Sequence, residues 1–95
     1  MIVRLVKMTF KEEAVAEFDE LFARYHQQIR QFPGCQHLEL LKDGVVYFTY
    51  SHWDNAHSLN NYRNSDLFQE VWPDTKKLFA RPAEAWSTEQ LYHLQ

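Results

Sequence analysis

The segment from Trp53 to Trp72, WDNAHSLNNYRNSDLFQEVW, concentrates the side chains of this sequence that could form a ligand site. It holds two Trp, one Tyr, one His and four Asn in twenty positions. Trp and Tyr join an apolar ring to a polar tip, and a buried tip needs a hydrogen-bond partner. Three nearby amides could supply it: Asn60, Asn61 and Asn64. Rings with a few polar groups predict a cleft for a flat organic ligand, whereas the alternative is that the rings only fill the core.

Metal and nucleophile chemistry finds little support in the other reactive residues. The five histidines form no HExxH or HxxxH pair, and the chain has no cysteine cluster. Cys35 and His37 would share a sheet face, since they lie two residues apart in a strand, but no third residue is placed to orient them. The two glycines, Gly34 and Gly44, fall in predicted turns, so a glycine-rich phosphate loop is excluded. We therefore expect a site without metal or cofactor.

The composition limits the partners of the chain. Its 95 residues predict a single domain, residues 1–95. A net charge of −3 with scattered basic residues argues against nucleic acid binding. No apolar run is long enough to span a membrane, and the first residues lack the layout of a signal peptide. Since one cysteine cannot form an internal disulfide, we expect a reducing, cytoplasmic location.

The first third of the chain predicts a strand followed by a long helix. Residues 2–8 are rich in β-branched side chains, which is typical of a strand. Thr9 and Glu12 fit a capping box that would begin the helix. Apolar side chains then recur at spacings of three and four, a pattern that predicts one buried helix face: Ala14, Phe18, Leu21, Phe22, Tyr25 and Ile29. Phe32–Gly34 should end this helix, because proline and glycine interrupt the helical ladder.

A hairpin and a short helix are predicted next. Residues 35–42 and 45–53 indicate two strands. Asp43–Gly44 between them predicts a type I′ turn, which needs positive φ at both central residues. Asp54 is expected to cap a short helix over residues 55–62.

The last third predicts another helix and a final strand. The helix should begin at Asn64 or Ser65 and run to about residue 79, and Pro73 should kink or split it. Pro82 then leads into a strand predicted over residues 83–94. The resulting order, β-α-β-β-α-β, predicts an α+β, ferredoxin-like fold with a four-stranded antiparallel sheet and helices on one face.

The third predicted strand carries large side chains on both of its faces. One set of alternate residues is Val45, Tyr47, Thr49, Ser51 and Trp53. The other set is Val46, Phe48, Tyr50 and His52. A half-exposed strand would alternate apolar with polar residues, so we expect both faces to be covered, one by helices and one by a second copy of the chain. The alternative to this homodimer through sheet faces is that the exposed rings are scattered singly, which monomers tolerate.

Three segments carry a resemblance to a known family. They are FPGC at Phe32–Cys35, YFTYSHWDN at Tyr47–Asn55 and NNYRNSDLF at Asn60–Phe68. The pattern resembles the antibiotic biosynthesis monooxygenase (ABM) domain family of the dimeric α+β barrel superfamily. Its members typically have a Trp ending the third strand, then a His, Trp or Tyr on a helix, then a Ser and a Phe, which here are Trp53, Tyr62, Ser65 and Phe68. The resemblance implies a protomer that dimerises through its sheets and holds a ligand cavity between sheet and helices.

For activity, the resemblance implies oxygenation of a small aromatic or quinol-like molecule without metal or flavin. The substrate is deprotonated, its anion gives an electron to O₂, and the two radicals combine at carbon. The site residues expected on this basis fall into a catalytic group, His52, Asn61, Tyr62 and Trp72, and a substrate-binding group, Trp53, Phe68 and Phe22. In the catalytic group, His52 and Asn61 are the candidate proton or hydrogen-bond partners.

Relatives that degrade haem are a poor match. They carry a Trp at the place of Tyr62, an iron-ligating His at the place of Trp72, and an Asn on the first strand. Residues 2–8 contain no Asn, and an indole cannot ligate iron, so haem degradation is not expected. Two functions stay open at this point, a cofactor-independent monooxygenase and a non-catalytic dimer that binds a hydrophobic metabolite or acts in a stress response.

Overall fold

The strands and helices follow the predicted ferredoxin-like order. The computed structural model describes all residues from Met1 to Gln95. Its elements, in chain order, are β1 (Ile2–Phe10), a 3₁₀ turn (Glu12–Ala14), α1 (Val15–Arg30), β2 (Cys35–Asp43), β3 (Val46–Trp53), α2 (Ala56–Arg63), α3 (Asp66–Lys76) and β4 (Phe79–Glu89). The strands form one antiparallel sheet in the order β2-β3-β1-β4, which confirms the predicted fold class. None of the helices is both long and apolar enough to cross a membrane.

The helices pack on one face of the sheet around an aromatic core. Phe10 of β1 stacks on Phe18 of α1 with ring centroids 4.3 Å apart, and Tyr47 of β3 meets both rings edge-on. The Tyr47 hydroxyl donates to Asp19 Oδ1 at 2.7 Å, so this ring is buried with its polar tip satisfied. A smaller buried cluster consists of Cys35, Trp53 and Leu59. The predicted apolar stripe of α1 therefore faces the sheet, as its spacing indicated.

Two of the three predicted helix caps are wrong. Thr9 does not begin a helix, because it is still paired with a strand on each side as part of β1. The cap of α2 is Asn55 instead of Asp54, and its side chain accepts a hydrogen bond from the amide three residues on at 2.9 Å. Ser65 caps α3 as predicted, with the corresponding hydrogen bond at 3.1 Å.

Pro73 does not split its helix, and Pro82 lies inside a strand instead of preceding it. Helix α3 continues through Pro73, and the Lys77 amide donates to the Pro73 carbonyl at 3.3 Å. A proline removes one donor from the ladder, and here the bonds on both sides keep the helix whole. Strand β4 begins at Phe79, before Pro82, and ends at Glu89. Pro82 is tolerated because β4 is an edge strand whose pairing with β1 shifts register nearby.

The β2–β3 hairpin is in the predicted place but has a different turn. Asp43 pairs with Val46, so the two central residues of the turn are Gly44 and Val45. Only Gly44 has positive φ, at 63°, whereas a type I′ turn needs positive φ at both central residues. A glycine in the first central position is the requirement of a type II′ turn, and the type I′ prediction is therefore wrong.

The sheet surface turned away from the helices, called the open face below, mixes polar with large apolar side chains, and several of the apolar ones are partly exposed in the protomer. Strand alternation and pairing give it three rows across β2, β3, β1 and β4: His37, His52, Val3 and Thr88; Glu39, Tyr50, Leu5 and Trp86; Leu41, Phe48, Lys7 and Glu84. Leu41 is 50% exposed and Trp86 is 48% exposed. As predicted, β3 presents large rings on both of its faces.

Candidate ligand cavity

A cavity of about 350 Å³ lies between the helix-facing side of the sheet and the helices. This volume is within the range of small-molecule sites. Most of its lining is hydrophobic, from all four strands and all three helices: Arg4, Val6, Met8, Phe18, Leu21, Phe22, Tyr25, Ile29, Leu38, Thr49, Ser51, Trp53, Leu59, Tyr62, Arg63, Phe68, Val71, Trp72, Thr75, Ala83 and Ala85.

One wall of the cavity is a continuous series of aromatic rings from three elements. Trp53, the last residue of β3, stacks on Tyr62 of α2 with centroids 5.0 Å apart. Tyr62 meets Phe68 of α3 edge-on at 5.3 Å, and Phe68 stacks on Trp72 one helical turn later at 5.6 Å. Ser65 fixes the two helices relative to each other, because its hydroxyl donates to the Tyr62 carbonyl at 2.6 Å and accepts from the Phe68 amide. The predicted clustering of rings in this segment is thus real.

Several polar tips of the lining are already paired within the protein. The buried Trp53 indole donates to Ser51 Oγ at 3.0 Å. The Tyr25 hydroxyl donates to Glu70 Oε1 at 2.9 Å. These hydrogen bonds hold the rings in place, and the indole N–H and phenol O–H that donate them are not free to donate to a ligand.

The Tyr62 hydroxyl, by contrast with the Trp53 indole and the Tyr25 hydroxyl, makes no hydrogen bond to a protein atom. Burial raises the pKa of Tyr62 to about 12, with a smaller contribution from Cys35. The phenol therefore stays protonated at neutral pH. It can donate a hydrogen bond to an oxygen of a bound molecule, and it is a poor base.

The charged groups of the lining are two guanidinium groups, and both lack a protein counter-ion. Arg4 donates to Ser87 Oγ at 2.8 Å, and none of the three ion pairs of the protein involves Arg4 or Arg63. Burial, and then the charge of Arg63, lowers the pKa of Arg4. Arg63 is exposed, which places it at the opening of the cavity, while Arg4 is half-buried. The cavity thus has positive charge at one end and hydrophobic side chains, aromatic and aliphatic, over most of its remaining surface.

The lining contains no His, Cys, Asp or Glu. Nor does the protein bring together three or more such side chains in a way that could hold a metal ion. A ligand in this cavity would therefore meet hydroxyl, indole and guanidinium groups, but no side chain that acts as a base at neutral pH.

The structure separates the predicted site residues into two groups. Five line the cavity, in agreement with the expected positions: Phe22, Trp53, Tyr62, Phe68 and Trp72. The other two do not, so their expected place in the site is corrected. Asn61 is exposed on α2 outside the cavity. His52 lies on the open face, because its neighbours along β3, Ser51 and Trp53, point into the cavity and side chains alternate along a strand. The catalytic roles of the first five remain predictions.

Cys35 and His37 do not share a sheet face, so that expectation is wrong, although the Cys35 thiol donates to the His37 carbonyl oxygen at 3.7 Å. Cys35 pairs with Trp53 and His37 pairs with His52, so Gln36 is an extra residue that breaks the alternation of β2. Cys35 is buried beside Trp53, and burial raises the pKa of its thiol. His37 instead lies on the open face, where its ring centroid is 4.9 Å from that of His52.

Acidification should destabilise the protein through His52. Burial is the main cause that lowers the pKa of His52, followed by the charges of His37 and His93, while Glu39 acts in the opposite direction. Its Nε2 atom is buried without a hydrogen-bond partner. The unfolded chain therefore takes up this proton at a higher pH than the folded chain. The free energy of unfolding should fall as pH drops through 6.5, the ordinary pKa of histidine, toward the lower folded value.

Urea denaturation at pH 7.5 and pH 5 measures this effect. His52→Gln should have a smaller loss of stability between the two pH values than the wild type. His57→Gln, at an exposed position of α2, is the control and should retain the full loss. An equal loss in wild type and His52→Gln would contradict the assignment.

Comparison with known proteins agrees with the fold. Rv0793 from Mycobacterium tuberculosis has a TM-score of 0.91 at 14% identity, covering 99% of this chain and 98% of that one. A structure named antibiotic biosynthesis monooxygenase has a TM-score of 0.90 at 16% identity, covering 97% and 100%. A conserved protein from Methanosarcina mazei Go1 has a TM-score of 0.88 at 21% identity, covering 95% and 93%. At these identities the similarity shows the fold alone.

Sequence comparison places the chain in a family. No curated protein matches the sequence. The family profile described as antibiotic biosynthesis monooxygenase, however, matches residues 1–72. The match extends from β1 to Trp72 and so includes the whole aromatic wall. The resemblance carried by the three segments is thereby confirmed, and the protein belongs to the antibiotic biosynthesis monooxygenase family.

Proposed function

We propose that the protein is a monooxygenase that oxidises a small phenol or quinol-like aromatic in this cavity, without metal or flavin. The observation that carries the proposal is the aromatic cavity, in which a protonated phenol and two guanidinium groups stand beside stacked rings. A flat electron-rich substrate fits between such rings, and the cationic and hydrogen-bonding groups favour its anion over its neutral form. Membership of the family supports the reaction class.

The proposed reaction needs no electron donor other than the substrate. A phenol with a free ring position loses its proton to water, and the phenolate transfers one electron to O₂. The phenoxyl radical and superoxide then combine at ring carbon, and cleavage of the O–O bond leaves a quinone and one molecule of water. For phenol itself the balance is C₆H₆O + O₂ → C₆H₄O₂ + H₂O. Since the lining has no side-chain base, the main task of the protein is to make the substrate more acidic.

Five aromatic residues of the lining have defined parts in this proposal. Tyr62 donates a hydrogen bond to the phenolate oxygen, because its own raised pKa keeps it protonated. Trp53, Phe68, Trp72 and Phe22 hold the substrate ring and keep water from the reacting carbon.

The proposal includes the assembly and location of the protein. Residues 1–95 act as a single ABM-like domain, which forms a homodimer when two open faces pack together. Support comes from the large exposed or half-buried apolar residues of that face, such as Leu41, Phe48 and Trp86. A single buried cysteine is compatible with a cytoplasmic location.

Removing the Tyr62 hydroxyl should slow oxidation of a quinol by about 10- to 100-fold, the effect of losing one hydrogen bond to an anion. Purified protein is incubated under O₂ with a panel of quinols and phenols that have a free ring position, and oxygen uptake is recorded together with formation of a quinone that carries one oxygen atom more than the substrate. Tyr62→Phe is compared with Tyr92→Phe, a change of the same kind at an 85% exposed position. Trp72→Ala should lower activity as well, through loss of ring packing.

Two results of this experiment would count against the proposal. One is the absence of substrate-dependent O₂ uptake across the whole panel. The other is equal activity in wild type, Tyr62→Phe and Trp72→Ala, which would mean that oxidation occurs outside the cavity.

A second candidate is a non-catalytic dimer that binds a hydrophobic metabolite. The absence of carboxylate and imidazole groups from the lining favours it, since general bases in enzymes are usually drawn from these residues. Native mass spectrometry of freshly purified protein separates the candidates. A retained ligand that stays unchanged under O₂ would support binding without catalysis, whereas its conversion to an oxygenated product would support the enzyme.

A further inference from the structure

We propose that the molecule bound in this cavity is a planar aromatic acid, with its carboxylate held by Arg4 and Arg63 and its ring placed along the aromatic wall. The inference deepens the proposed function and depends on it only in taking this cavity as the ligand site. It names a chemical class that a phenol or quinol substrate does not require.

The charge of the lining is the first argument. Arg4 and Arg63 are its charged residues, and none of its residues is acidic. Neither guanidinium takes part in an ion pair of the protein. Two like charges that line one cavity repel each other, an arrangement that an anionic ligand would relieve. A carboxylate is already ionised at neutral pH, so it relieves this repulsion on binding, whereas a phenol must first lose its proton.

The position of Arg4 is the second argument. In the sheet, Arg4 is paired with Ser51 of β3 on one side and with Ser87 of β4 on the other. Its Nη1 donates to Ser87 Oγ at 2.8 Å, which orients the planar group and leaves its other N–H donors free. A carboxylate takes two parallel hydrogen bonds from such a fork, so an oriented guanidinium recognises it with little loss of side-chain freedom.

The third argument is the division of the cavity between charge and rings. Arg4 is paired with Ser51, whose hydroxyl accepts from Trp53, and Trp53 stacks on Tyr62. Arg63 follows Tyr62 directly in α2, so the two arginines lie at the end of the cavity marked by Trp53 and Tyr62. Beyond this end, the lining consists mainly of hydrophobic residues. A ligand with one anionic end and one flat apolar body matches this division, whereas a ligand with charges at both ends would place one of them among the rings. The stacked pairs Trp53–Tyr62 and Phe68–Trp72 present flat faces, which favours an aromatic body.

The test compares two ligands that differ in charge but hardly in shape. The full-length protein is titrated by calorimetry with 2-naphthoate and with the neutral 2-naphthamide. We expect the acid to bind at least tenfold more tightly than the amide at pH 7.5. Naphthyl phosphate is a third ligand, and binding tighter than that of the acid would overturn the assignment of a carboxylate.

Substitutions test whether the two arginines are responsible for tighter binding of the acid. Arg4→Gln and Arg63→Gln should each weaken binding of the acid about tenfold or more and change binding of the amide by less than about threefold. Arg4→Lys keeps the positive charge but lacks the paired N–H donors of a guanidinium, so it should still lose part of the preference for the acid over the amide. Because the charge is retained, this variant shows whether the effect of Arg4→Gln comes from ligand recognition or from a folding defect. Arg81→Gln is the matched control, because Arg81 is exposed on β4 and does not line the cavity. An equal effect of Arg81→Gln would mean nonspecific attraction and would overturn the proposal.

The remaining outcomes separate this inference from the proposed function. Equal binding of acid and amide, with both weakened by Trp72→Ala, would overturn the carboxylate and leave the cavity as the site. Quinol oxidation that depends on Tyr62, together with no binding of either naphthalene ligand, would also overturn the inference while supporting the enzyme. A wild type that neither binds the naphthalene ligands nor oxidises any quinol or phenol would overturn both proposals.

Discussion

Replacing Gly34 by alanine should lower the free energy of unfolding by about 3 kcal/mol, a large part of the stability of a domain of this size. Gly34 has a φ of +91°, a conformation that costs a residue with a Cβ atom about 1–3 kcal/mol. The added Cβ would also overlap the Cβ and Oγ atoms of Ser58 in α2. The Gly34 carbonyl accepts from the Asp54 amide at 2.9 Å, so the backbone cannot move away without losing a hydrogen bond.

Gly44→Ala is the matched control for this prediction. Gly44 also has positive φ, at 63°, but a Cβ there would meet no atom within 4 Å. Gly44→Ala should therefore lower the free energy of unfolding by only about 1 kcal/mol, the cost of the backbone conformation alone. The double variant Gly34→Ala/Ser58→Gly should recover the part of the Gly34→Ala loss that comes from overlap with the Ser58 side chain. Chemical denaturation of the variants measures all these differences, and equal losses in Gly34→Ala and Gly44→Ala would show that contact with Ser58 is unimportant.

Replacing Phe48 by aspartate should weaken the proposed dimer by about 1,000-fold in its dissociation constant. Phe48 lies in β3 between Leu41 of β2 and Lys7 of β1 on the open face. When two open faces pack together, an aspartate at this position becomes a buried charge without a dedicated partner, and such charges cost about 3–5 kcal/mol. Sedimentation velocity over a range of protein concentrations measures the shift from dimer to monomer.

Gln69→Asp is the control for the dimer, because Gln69 is exposed on α3, on the helical side of the sheet. It should leave the dissociation constant within about threefold of the wild type. A wild-type protein that sediments as a monomer at micromolar concentration would contradict the dimer itself. A Phe48→Asp variant that dimerises as tightly as the wild type would show that another surface forms the contact.

The parts of the fold that could be predicted are those determined by local patterns. The apolar stripe of α1 and the cap at Ser65 depend on spacings of three or four residues, which the sequence displays directly. Thr9 and Pro82 were misjudged because sheet pairing overrides local preference. Thr9 is held in β1 by neighbours on both sides, and Pro82 is accepted at the edge of the sheet.

The site could be predicted only in part, for a related reason. Rings on both faces of β3 indicate two covered surfaces, but they do not reveal which set faces the helices, and His52 was assigned to the wrong one. The extra residue Gln36 reverses the alternation of side chains along β2, and no residue type in this segment indicates such a bulge. Arg4 was missed although a signal existed, since it is the one cation among the inward positions of β1.

The alternation of side chains along β3 also limits which insertions and deletions the protein can tolerate. Loss or gain of one codon within β3 would exchange its two sets of side chains, moving His52 toward the helices and Trp53 away from them. Both the pocket and the open face would then change in a single step. A side chain at Gly44 in the β2–β3 turn would meet no atom within 4 Å, and it is at this turn that descendants of this protein should vary in length.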